Sequence, residues 1–226
     1  MNQARQAAAL WSIAFGLLMF VPLFVLGAAI GWPASLDLPA AQILPLITQQ
    51  QDAVRFGYLV YLFYSVIFFP TIAALGVALG ENATTRLASQ FALISSLARS
   101  IGILRWLTAM PALAGLAATS DPQTTQLVYA AINGYGGGIG ELLGVSLFGM
   151  ITIALISKRI FETDTLPKWL GVFGLIAAAA LALPWLEVFG VNLGPVISVS
   201  VAVVQLWFLT LGAILLRRPH QQLARA

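Results

Sequence analysis

Apolar residues in this chain come in six long runs, and almost all of the charge lies between them. The runs cover residues 7–32, 56–80, 87–118, 127–157, 169–186 and 188–216. A helix needs roughly 20 apolar residues to cross the hydrocarbon core of a bilayer, and only the run at 169–186 falls short of that. With Pro167 and Lys168 as its flank the fifth span becomes 167–186, and the sixth begins beyond Asn192, at 193–216. The pattern predicts an all-α fold: a polytopic bundle of six transmembrane helices, forming one domain over residues 1–226.

Local signals refine this outline. Pro22, Pro70, Pro111, Pro184 and Pro195 fall within runs, where a membrane helix accepts a kink if neighbours satisfy the freed carbonyl. Asp121-Pro122 reads as the cap and first-turn proline of the fourth helix. Between residues 33 and 55, Pro33, Pro39 and Pro45 rule out one long helix and leave room for a short amphipathic turn on the membrane surface. Trp11, Trp32, Trp169 and Trp185 stand near span ends and read as interfacial anchors, with Tyr58 in the same belt. Spans one and five each carry Phe-Gly followed by a proline, but the other spans do not correspond, so no inverted repeat is read.

Charge orients the bundle. Only 8% of residues are charged, against about 25% in soluble domains. Six crossings put Arg5, Arg86, Lys158, Arg159, Lys168, Arg217, Arg218 and Arg225 on one side and Arg55 alone on the other. By the positive-inside rule both termini are cytoplasmic. The formal charge of +3 is thereby a topological signal, and no nucleic-acid partner is expected. The first run is too long for a secretory signal and reads as a retained helix.

Three charges break the pattern: Arg99, Arg105 and Glu141 lie inside apolar runs. An ionised side chain in hydrocarbon costs roughly 2.5–3.5 kcal/mol on insertion scales, so the three must face each other, a ligand or water. Arg99 and Arg105 are six residues apart on one helix, about 9 Å along its axis and 120° around it. If the third span enters the core near Leu87, Arg105 and Glu141 match in depth and pair. If it enters nearer Leu97, Arg99 snorkels to headgroups instead. One carboxylate cannot neutralise two arginines, and arginine does not deprotonate in proteins. Unless Arg99 snorkels, the bundle keeps a positive charge suited to a lipid phosphate or an anionic metabolite.

Beside Glu141 runs Asn133-Gly-Tyr-Gly-Gly-Gly-Ile-Gly-Glu-Leu-Leu-Gly144. At 100° per residue, Gly134, Gly137, Gly138, Glu141 and Gly144 share an arc of about 120°. With Gly140, this stripe is either a close helix-packing surface or a locally unwound segment that exposes backbone to a ligand. Tyr61, Tyr64 and Asn133 join Arg99, Arg105 and Glu141 as candidate ligand-binding residues.

Several chemistries are excluded. The chain has no cysteine, and its one histidine, His220, is in the terminal tail. Bis-His haem and the usual zinc or copper sites are therefore not expected. No apolar run holds a lysine, a pair of aspartates or a serine–histidine pair, and no phosphate-cradling loop is present. Neither catalysis nor a cofactor is expected.

Three segments carry a family likeness: Asp52-Ala-Val-Arg-Phe-Gly-Tyr58, the arginine-bearing third helix, and Leu166-Pro-Lys-Trp-Leu-Gly171. They resemble a family of small bacterial six-helix inner-membrane proteins known only as a domain of unknown function. The resemblance extends over most of the chain and implies a multi-pass protein of the bacterial inner (cytoplasmic) membrane; it supplies no activity. The glycine run before Glu141 is richer than that family's pattern. Two functional readings stand. One is binding or transport of a small or lipid-like anionic ligand at an intramembrane Arg/Glu site. The other is a non-catalytic accessory subunit that packs on another membrane protein, or on a second copy, through Gly/Ala-rich helix faces. Membrane lipids are expected neighbours in both.

Overall fold

Helices long and apolar enough to cross a membrane cover Gln3–Ile30, Gln51–Ala78, Ala83–Leu116, Pro122–Glu162, Lys168–Val188 and Val199–Arg217. The computed structural model describes residues 3–191, 193 and 196–217, and no β-strand occurs among them. The protein is an all-helical, multi-pass membrane protein. Asn192, Pro195, Arg218, His220 and Arg225 lie outside the described residues. Several helices overrun their apolar runs: the second starts at Gln51 and the fourth ends at Glu162. Their first and last turns are polar and extend beyond the length that hydrocarbon requires.

Prolines break three spans near the same end of the bundle. The first divides into Gln3–Leu18 and Phe20–Ile30, three residues before Pro22. The third divides into Ala83–Leu107 and Ala109–Leu116, three residues before Pro111. Each proline sits in the opening turn of the outer piece, where its missing N–H leaves a carbonyl of the preceding piece without its usual donor. The fifth stops at Ala182 and resumes after Pro184 as the short helix Trp185–Val188. These breaks spread the helix ends on one face and open a chamber there.

The chain after the first span folds over that opening. Gly31, at φ 72°, closes a Schellman turn in which its N–H donates to the Gly27 carbonyl and that of Trp32 to the Leu26 carbonyl; only glycine adopts this φ without strain. The turn swings Trp32 back toward the bundle, edge-on to Tyr61 at 5.6 Å. A short 3₁₀ turn, Ala34–Asp37, leads to a ten-residue helix, Ala40–Gln49, which contains Pro45. The surface turn expected in this loop is thus a full helix. Its start is pinned by Gln126 of the fourth span, whose Oε1 accepts from the Ala40 N–H at 2.7 Å.

Rings close the chamber from below. Phe15 stacks on Tyr64 at 4.3 Å and meets Phe208 edge-on at 4.6 Å; Phe68 contacts both Phe15 and Phe208. All four side chains are buried. They come from the first, second and sixth spans, so the plug ties together helices that are distant in sequence.

The opposite face begins the third span with a capping box: Asn82 accepts from the Thr85 N–H, and Thr85 Oγ1 from the Asn82 N–H. Asn82→Ala removes one half of this exchange and is expected to cost about 1 kcal/mol, read as a small drop in the melting temperature.

Candidate functional site

The third and fourth spans meet backbone to backbone. A Cβ on Gly102 would lie 2.6 Å from Gly140 Cα, and one on Gly144 would lie 2.8 Å from the Arg99 N. Such an approach is available only where both surfaces lack side chains. It carries both arginines against the glycine-rich helix.

That helix is neither a plain α-helix nor unwound. Gly138–Gly149 is a π-helix, in which i→i+5 bonding widens each turn. The packing face lies to one side of the predicted arc, for at 100° per residue Gly136, Gly140 and Gly144 share about 80° that excludes Gly134 and Gly138. Gly136, Gly140, Gly144 and Gly149 face the third span, whereas Gly134 and Gly138 have open space where a Cβ would be. Gly134, Gly137 and Gly138 line the chamber instead. Their expected role as packing residues is corrected accordingly, most clearly for Gly134 and Gly138. Ser95 of the third span donates to the Gly144 carbonyl at 2.6 Å, a side-chain bond to the wide-turned backbone.

Every nitrogen of Arg105 donates to protein. Its Nη2 donates to Glu141 Oε1 at 2.9 Å, its Nη1 to the Gly102 carbonyl at 2.9 Å, and its Nε to Asn133 Oδ1 at 3.2 Å. Asn133 in turn donates to the Leu36 carbonyl at 2.9 Å, so one hydrogen-bonded chain links the third span, the fourth span and the loop over the mouth. The Arg105 side chain is 7% exposed and that of Glu141 48%. Arg105 is a brace whose carboxylate partner still faces open space.

Arg99 differs. It is 5% exposed, which removes the alternative of snorkelling to headgroups. Its guanidinium lies 4.4 Å from the centre of the Phe68 ring and hydrogen-bonds to the Tyr64 hydroxyl, with Tyr61 within electrostatic range. Its Nε has no hydrogen-bond partner, and among the described residues no carboxylate forms an ion pair with it.

Both arginines line one chamber of about 490 Å³, to which all six spans contribute. That volume is in the range of small-molecule sites, about 300–1,000 Å³. Phe20, Leu23, Ile103, Leu142 and Val201 supply apolar wall. Among the described residues, four buried side-chain atoms of lining residues have no hydrogen-bond partner: Arg99 Nε, Tyr58 Oη, Ser146 Oγ and Gln205 Oε1.

Of the expected site residues, Arg99, Arg105, Glu141, Asn133 and Tyr61 line the chamber. Tyr64 lies beneath it in the plug, its hydroxyl accepting from Gln205 Nε2 at 2.8 Å. Tyr58 and Trp32 are corrections. Each was expected at the membrane interface and each is turned inward, Tyr58 stacked on Trp106 at 5.1 Å. The cause is the loop and short helix that cover the mouth. Gln205 and Ser146 had gone unremarked. Gln205 has a legible signal, as the only amide side chain between residues 193 and 217.

Comparison with curated proteins and with solved structures finds no match. The model of one family, described as a domain of unknown function (DUF4386), matches residues 10–216. That match takes in every residue of the chamber, and with it the chain belongs to the DUF4386 family.

Proposed function

We propose that the chamber binds an anionic, small or lipid-like molecule, with its charged group against Arg99 and its apolar part along the wall. One observation carries the reading: a buried guanidinium without a carboxylate faces a ligand-sized cavity. An uncompensated buried charge costs several kcal/mol, and a protein keeps one where function recovers the cost. The rival accessory-subunit reading drew its interface from glycine faces, yet Gly136, Gly140, Gly144 and Gly149 pack within the chain. The lysine and arginine distribution and the family resemblance support a bacterial cytoplasmic membrane with both termini inside, so that the chamber opens away from the cytoplasm. Transport is the extended form of this reading and requires the aromatic plug to part.

Arg99→Gln tests it. Trp32 and Trp106 line the chamber, so their fluorescence reports occupancy by dodecyl phosphate in non-ionic maltoside micelles. The variant is expected to bind at least tenfold more weakly, since hydrogen bonds to a charged group contribute about 1.5–3 kcal/mol. The empty variant is also expected to melt no lower than the wild type, because a desolvated charge has gone. Equal affinity in the two proteins, or a large loss of stability with binding unchanged, would sink the reading.

A further inference from the structure

We infer that the preferred ligand is zwitterionic, with its anionic group on Arg99 and a cationic group held nearer the mouth by aromatic rings and carboxylates. This rests on the chamber being a ligand site and names the class of molecule that it takes.

The charges along the wall are segregated. Asp37 and Glu187 line the same chamber as Glu141, Arg99 and Arg105. Two cations against three carboxylates leave a formal charge of −1 on the lining (2 − 3), although its deepest charge is positive. Asp37 lies in the loop after the first span and Glu187 at the end of the fifth, which puts both at the rim. Among the described residues neither forms a salt bridge. Glu141 gives one oxygen to Arg105 and remains half exposed. An anion alone would pass this rim against like charge, while a neutral dipole that enters anion first meets a favourable field at both ends.

The wall between the two poles suits a cation. Trp32 and Tyr61 meet edge-on at 5.6 Å, whereas Tyr58 and Trp106 stack on each other at 5.1 Å with Arg105 5.6 Å from the Trp106 ring, so the Trp32–Tyr61 corner is the face left for a cation. All four line the chamber. Aromatic faces combined with carboxylates are the usual means of holding an ammonium group. Tyr61 lies within electrostatic range of both Arg99 and Glu141, so it marks the junction between the poles. The buried Tyr58 hydroxyl lacks a partner there, and Ser146 Oγ is a second unpartnered hydroxyl on the same wall.

The test uses the full chain in maltoside micelles and three amphiphiles that share one tail: dodecylphosphocholine, dodecyl phosphate and dodecyltrimethylammonium. Tryptophan fluorescence is expected to give dodecylphosphocholine at least tenfold tighter binding than either singly charged compound. The rim variant Asp37→Asn/Glu187→Gln alters exposed residues and leaves the helices intact. It is expected to strengthen dodecyl phosphate binding until the preference for the zwitterion is within a few-fold. Wild-type binding of dodecyl phosphate that equals or exceeds that of dodecylphosphocholine would overturn the zwitterion while the Arg99 anion site stands. An outcome in which no compound shows Arg99-dependent binding, or the cation binds most tightly, would overturn both.

Discussion

Gly102→Val is expected to destabilise the protein by about 3 kcal/mol or more, the upper end for overpacked cores, and to lower its melting temperature by roughly 10 °C. The magnitude follows from what the new side chain would meet. The Cβ alone would lie 2.6 Å from Gly140 Cα and 2.9 Å from the Gly136 carbonyl oxygen. Both are backbone atoms and neither can rotate away. The helices must separate, which pulls Arg105 from Asn133 and Glu141 and opens the Ser95–Gly144 hydrogen bond. Gly138→Ala, with nothing near its Cβ, is the matched control. It is expected to be neutral or to gain up to about 1 kcal/mol from helix propensity. Thermal unfolding of both variants in detergent checks the pair; similar melting temperatures would mean that the glycine contact is not the seam between these spans.

Breaking the Arg105–Glu141 pair is the second large effect, and its two halves should differ. Removing one partner of a fully buried ion pair costs about 3–5 kcal/mol, and because the Glu141 side chain is 48% exposed, solvent screening brings this pair to the lower end of that range or below it. Glu141→Gln is expected at about 2 kcal/mol, because Arg105 keeps Asn133 and the Gly102 carbonyl as acceptors. Arg105→Met is expected at about 3 kcal/mol: it abandons a carboxylate and leaves two further acceptors without their donor. Because the residues act on each other, the double variant should fall short of the sum by about 1–3 kcal/mol. A double-mutant cycle by chemical or thermal unfolding reads this directly. Strict additivity would show that the contact contributes nothing to stability.

The six spans were legible from residue type alone, since hydrocarbon thickness and the cost of charge leave few alternatives. The match in depth of Arg105 and Glu141 was legible only for a third span that enters near Leu87, since residue count fixes axial rise but not the point of entry. Angular position was not. A π-helix leaves no mark in the sequence beyond a tolerance for glycine, and the glycines offer two neighbouring arcs: the stripe through Glu141 reads as the packing face, whereas the other, Gly136, Gly140 and Gly144, meets the third span. Trp32 and Tyr58 were misplaced for another reason. Nearness to a span end reads as membrane interface, but here a positive-φ glycine and the helix Ala40–Gln49 make that end part of the interior. Gln205 was passed over because a search for charge ignores a neutral amide, although its unpaired oxygen is among the clearest marks of the site.

The rings beneath Arg99 have an electrical consequence. A chamber filled with water from its mouth would carry the potential of that side toward the guanidinium and leave most of the membrane voltage to fall across the stack of Phe15, Tyr64, Phe68 and Phe208. A charge that moves through the full field exchanges about 2.3 kcal/mol per 100 mV. One that travels only between bulk solution and Arg99 exchanges a small fraction of this. Occupancy of the chamber should therefore be nearly indifferent to membrane potential, while any step that carries net charge past the rings should feel almost all of it.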